Sequence, residues 1–147
     1  MTQKQFETIN IFRKIDYVFF NEEKIRQAVY EARNFHRKPE IPNKNSKGDP
    51  TAQEAVKNLT PIQDVIISGK ILSAPELWLD VTDKTRNWCI RRGGRFPEVF
   101  QRYYSGEHFV NTCFDLELPV NRLYRTLDKI RAYASLWAAW HHLIYID

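Results

Sequence analysis

The stretch from Gly106 to Ile130, GEHFVNTCFDLELPVNRLYRTLDKI, decides how this chain folds. Phe109, Thr112, Cys113 and Leu116 stand at i, i+3, i+4 and i+7, which puts four side chains on one face of a short helix. Leu123, Leu127 and Ile130 carry a second helical face. Between the two, Glu117-Leu118-Pro119 has the length of a tight turn, with Leu118 as the apolar plug beneath it and Pro119 suited to the opening of the next helix. Two helices so joined make a helix-turn-helix. Cys113 is small enough for the close approach that a steep crossing needs. Glu117 occupies the place of a left-handed residue, which costs a non-glycine side chain about 1 kcal/mol. Pro119 stands where Ser commonly caps the second helix, so orphan N–H groups there need another acceptor, such as a DNA phosphate.

The second helix presents a polar row: Asn121, Arg122, Tyr124, Arg125, Asp128 and Lys129, with Arg131 just beyond. Arg and Asn make bidentate contacts to guanine and adenine edges in a major groove. The expectation is that Asn121, Tyr124 and Arg125 read bases, Arg125 taking guanine. Arg122, Lys129 and Arg131 are expected to hold phosphates of double-stranded DNA, with Asp128 in the same row. The same residues also suit an amphipathic helical hairpin in a bundle, its polar row merely solvated.

Gly106–Ile130, preceded by Phe96–Tyr104, FPEVFQRYY, resembles the C-terminal DNA-binding module (region 4) of sigma factors. It is similar in particular to the small phage and prophage transcription activators of the RinA and ArpU types. The matching residues are Tyr103, Gly106, Phe109 in the place of an aromatic, Leu116, Leu118 and Leu123-Tyr124-Arg125, with Asp49-Pro50-Thr51 ahead of the middle of the chain. The likeness covers most of the chain in layout and is specific in the last third. It implies a late-gene activator that binds DNA and acts with RNA polymerase, through the acidic first helix of the motif or the N-terminal helix. Two other functions suit such a motif: a small terminase subunit in phage DNA packaging, which would bind DNA as a ring, and a sigma-like protein-interaction module that reads no DNA.

With 147 residues the chain is long enough for one real core. Nine Phe, seven Tyr and four Trp point to packed helices rather than disorder. No apolar run has the length of a membrane span and MTQKQFETIN is not a signal peptide, so a cytoplasmic protein is expected. The net charge of +4 is uneven. Residues 1–48 carry ten Lys and Arg against six acids, while 49–94 and 95–147 each balance at six and six. Within the last third, Glu107, Asp115 and Glu117 lie on the first motif helix and its turn, and Arg122, Arg125, Lys129 and Arg131 on the second. One helix can then face phosphates while the other faces away. So few phosphate contacts per chain call for a homodimer or a partner.

Working outward, the expected fold is all-α, with one small β-hairpin an option near 64–72. Residues 1–38 are expected as an N-terminal helical segment, because 3–38 lack Pro and Gly and carry Phe6, Ile9, Phe12, Phe19, Ile25, Val29, Ala32 and His36 at three- and four-residue steps. That segment is either one long helix packing partly on another chain or two helices folded at Asn21. PEIPNKNSKGD makes 39–49 a linker, whose basic residues could also follow a DNA backbone. The central region, 50–94, should hold a helix from Pro50 to Leu59 and capping boxes at Thr60–Gln63 and Ser73–Glu76. Its last helix runs to Arg92, with Trp78, Val81, Thr85, Trp88 and Cys89 inward and Gly93-Gly94 as its end. Val65–Ile67 and Ile71-Leu72 flank Ser68-Gly69-Lys70, favouring a hairpin, with a helix ending at Gly69 as the alternative. In 95–147, the recognition helix continues as a long final helix whose Leu123, Leu127, Ile130, Ala134, Trp137, His141 and Ile144 either pack back on the N-terminal helices or form a dimer seam. Cys89 and Cys113 read as reduced core thiols. His36, His108, His141 and His142 have no zinc spacing, and no phosphate loop, GxSxG or HExxH occurs, so no enzyme, metal or cofactor is expected.

Overall fold

A computed structural model describes residues 3–35 and 60–144. The linker expected at 39–49, the helix expected from Pro50 to Leu59 and the helical position of His36 lie outside the described residues. Within them the chain is helical apart from one antiparallel hairpin. Its elements are α1 (Gln3–Phe20), α2 (Glu22–Phe35), β1 (Asp64–Ile67), β2 (Lys70–Ser73), α3 (Pro75–Arg92), α4 (Phe96–Tyr104), α5 (Phe109–Leu116) and α6 (Val120–Trp140).

Contacts divide the chain into two compact units, one made by Met1–Glu22 with Leu77–Asp147 and the other by Glu23–Glu76. The division falls at the break after α1 and within the first turn of α3. The N-terminal segment is therefore two helices. At Asn21 the backbone N–H still bonds to the Tyr17 and Val18 carbonyls, and the side-chain amide also donates to Tyr17 O at 2.7 Å, closing α1 upon itself.

In the larger unit α1 packs on α6 and α4. Ile15, Val18 and Phe19 are buried from α1, Val99, Phe100 and Tyr104 from α4, and Leu123, Leu127, Ile130, Ala134 and Ala138 from α6. Rings meet edge to face where α1 ends: Phe19 lies 5.4 Å from Phe100 and 5.0 Å from Tyr104, a geometry that suits their quadrupoles. The apolar face of α6 thus packs back on the chain. Trp137 and His141 turn aside toward α3, and Ala138 takes the core position because α6 keeps a helical rather than a strict heptad period. The final helix ends at Trp140, where His142, at φ 59°, and the bond from Leu143 N–H to Ala138 O close it in a Schellman motif. On α3 the expected inward face is present: Trp78, Val81, Thr85 and Cys89 are buried and Trp88 is half-buried. Burial pushes the Cys89 thiol up to about 12.

In the smaller unit β1 and β2 pair with Val65 opposite Leu72, joined by Ser68 and Gly69 at φ 50° and 80°, the two left-handed residues that a two-residue hairpin favours. The β-branched run is what makes it a strand. Neither expected capping box forms. Thr60–Gln63 leads into β1, not into a helix. Ser73 is spent in β2 opposite Asp64, and Glu76 turns to Arg33 and the Ile62 N–H.

Alkylation at pH 8 should modify Cys113, which is half-buried, and leave Cys89 untouched until the protein unfolds, as read by intact mass with and without denaturant.

Candidate nucleic-acid interface

The motif is assembled from its three connections. Gly106, at φ 90°, ends α4, its N–H bonding Tyr103 O while the Glu107 N–H reaches Arg102 O. A left-handed conformation there suits glycine and turns the chain sharply into α5. His108 caps α5, its Nδ1 accepting from the Val110 N–H at 3.3 Å. Thr112 and Leu116 are buried beneath α5, with Phe109 and Cys113 half-buried beside them. Glu117 adopts φ 54° and ψ 42°, and the Leu118 N–H returns to Cys113 O at 2.9 Å, so the turn is left-handed at the residue where the spacing requires it. Pro119 then precedes α6 with no side-chain cap. Asn121 Oδ1 accepts from the Arg122 N–H at 2.8 Å and so satisfies one amide that Pro119 cannot.

On α6, Asn121, Arg122, Tyr124, Arg125, Asp128 and Lys129 are all exposed. Arg122, Arg125 and Lys129 stand at i, i+3 and i+7, on one outward stripe. Among the described residues none of these three cations forms an ion pair. The Tyr124 ring lies 6.4 Å from Phe109, which ties the row to α5. The acids of the first motif helix are already answered: Arg102 meets Glu107 at 3.1 Å and Asp115 at 2.6 Å. The hydrogen bond to Asp115, with both carboxylates near, holds the Arg102 guanidinium firmly protonated. The outward stripe of α6 therefore keeps its positive charge.

Arg131 does not belong to this row. It is a core residue, with a side chain 11% exposed, and it cannot hold a phosphate. Its Nε and Nη2 each donate to Asp16, at 2.9 Å to Oδ1 and 2.9 Å to Oδ2, a bidentate pair between α6 and α1. Nη1 donates to Asp128 at 3.0 Å, so that exposed carboxylate is directed along the helix rather than at a base. The Tyr104 hydroxyl donates to Asp16 Oδ1 at 2.7 Å and completes the cluster. Burial opposes the charge on Arg131, but the bonds to Asp16 outweigh it and raise the guanidinium's pKa. Burial first, and then the Asp16 charge, raises that of Tyr104. Arg131 lies four residues after Leu127 and next to Ile130, a spacing that by itself places it on the inward stripe. Motif reasoning does not single out Asp16 and Tyr104 as positioning residues. The signal for them is an acid inside the apolar run from Ile15 to Phe20, since a buried carboxylate needs a cationic partner.

Among the described residues no group of His, Cys, Asp and Glu is placed to hold a metal ion, and no helix is long and apolar enough to cross a membrane. No family model matches the chain, and comparison with curated proteins and with solved structures finds no match either.

Asp16→Ala removes the bidentate partner of Arg131 and leaves this largely buried cation with only the exposed Asp128 carboxylate, so thermal or urea unfolding should show a loss of about 3 kcal/mol. The double variant Asp16→Leu/Arg131→Met should recover most of it.

Proposed function

We propose that this protein is a sequence-specific DNA-binding regulator of transcription in which α6 enters the major groove. The observation that carries the proposal is the outward stripe of three unpaired cations, Arg122, Arg125 and Lys129, beside Asn121 and Tyr124 on the second helix of a helix-turn-helix. Unpaired guanidinium groups on a rigid helix suit recognition of base edges, and they cost no broken ion pair when they engage DNA. In this reading Arg125 takes guanine, Asn121 and Tyr124 contact neighbouring base edges, and Arg122 and Lys129 hold phosphates. The exposed N–H groups behind Pro119 add a helix N-terminus for a backbone oxygen.

The likeness of the motif to sigma region 4, and to the RinA and ArpU types, extends the proposal to a phage or prophage late-gene activator that acts with RNA polymerase. The contact helix would be α5, whose Val110 and Phe114 stand exposed one turn apart. Three cations give modest affinity alone. Either polymerase or a second copy supplies the rest, and a two-fold dimer would set two α6 helices on half-sites about one DNA turn apart.

The test is retention of sheared genomic DNA on the protein at about 0.15 M salt, where weak electrostatic binding is largely screened. One enriched promoter-like site is expected. Arg125→Ala should lose about 1–3 kcal/mol on that site and little on random duplex. Equal losses on both would make Arg125 a phosphate contact, and no binding to any duplex would overturn the proposal.

A further inference from the structure

Resting on that DNA-binding reading, we propose that the C-terminal end of α3 forms a second contact to the DNA backbone, with Arg91 and Arg92 as phosphate ligands beside the recognition helix. Three contacts set the register of α3 against α6. His141 Nε2 meets Asp80 Oδ2 at 2.7 Å, Lys84 Nζ lies 4.7 Å from the centre of the Trp137 ring, and Trp88 stacks on Tyr133 with centroids 4.4 Å apart and planes 9° from parallel. Each step of four residues forward on α3 is matched by a step of four backward on α6. The helices run antiparallel, and one more step brings Arg92 level with Lys129.

Arg92 is held by aromatic faces instead of a carboxylate. Its guanidinium carbon lies 5.4 Å from the Trp88 ring centre and 4.7 Å from that of Phe96. A guanidinium on a ring face keeps its charge and leaves its N–H edge for another acceptor. Arg91 and Arg92, three and four residues past Trp88, flank the same face of α3. Both are exposed, and neither forms an ion pair among the described residues. Other cations of this unit are answered: Lys84 by Asp80, Arg86 by Glu22 and Asp83, Arg102 by Glu107 and Asp115, Arg131 by Asp16 and Asp128, and Arg95 in part by Glu98 at 3.4 Å. Apart from Arg13 and Lys14 on α1, the unanswered ones form a strip from Arg122 through Lys129 to Arg92 and Arg91. A row of uncompensated charges continuous with the base-reading residues fits the regularly spaced phosphates of a duplex. Because Arg92 is already fixed by stacking, little rotamer freedom remains to be lost on binding.

The test uses the full chain and the duplex selected by retention, with affinity measured across a salt series. Against wild type, Arg91→Gln/Arg92→Gln should flatten the slope of log K on log salt by about 1.8, or about 0.9 for each phosphate left without its arginine. Arg91→Gln alone, which leaves the stacked Arg92 in place, should flatten it by about 0.9. Random duplex should lose affinity by the same factor as the selected site, so that the preference between them stays fixed. Arg91→Lys/Arg92→Lys should restore the slope. An unchanged slope in a folded Gln pair overturns this proposal and leaves the recognition helix as the DNA contact. A wild-type protein that binds no duplex overturns both.

Discussion

The bidentate pair between Asp16 and Arg131 is the constraint from which the rest of the larger unit follows. It crosses from α1 to α6, with the Tyr104 hydroxyl of α4 on the same carboxylate, and so ties three helices at one buried point. Apolar packing alone would tolerate sliding of α6 along α1 by part of a turn. Two parallel N–H bonds to one carboxylate do not, because their geometry is met at a single register. Once that register is set, Leu123, Leu127 and Ile130 enter the core and Arg122, Arg125 and Lys129 are turned outward. Desolvation makes such a pair a poor source of net stability, so its value lies in where it places the helix.

Charge is sorted on the same principle. Glu107 and Asp115, just ahead of the first motif helix and on its body, share Arg102, and Arg86 is engaged by Glu22 and Asp83, while the stripe on α6 and the end of α3 are left without counterions. A last third that is neutral in total therefore presents a locally positive face. Net charge by segment does not reveal this, because an ion pair removes two charges from the surface without changing the sum.

Much of the fold is legible in the sequence, and the losses have identifiable causes. The motif helices, the left-handed Glu117, the stop at Gly106 and the hairpin at 64–67 and 70–73 follow from local rules of spacing and turn chemistry, and those rules act over a few residues. Arg131 is misplaced by such rules when its residue type is allowed to outweigh its position on the helical wheel. Asp16 can be paired only by knowing which helix comes to lie against it, 115 residues away in sequence. The two boxes at Thr60 and Ser73 have the right letters, but strand pairing takes Ser73 first, and Thr60–Gln63 leads into β1 instead of a helix. Nothing in the motif points to Arg91 and Arg92; their place beside Lys129 emerges only from the antiparallel register of α3 and α6.

The central claim is that the outward stripe of α6 is the surface that meets DNA. Titrating isotope-labelled protein with the selected duplex and following backbone amide shifts tests it residue by residue. The largest changes are expected from Glu117 to Lys129, with a second group at Arg91 and Arg92 and none in the β1–β2 hairpin. Shifts confined to the hairpin or to α1, with α6 unmoved, would contradict the account.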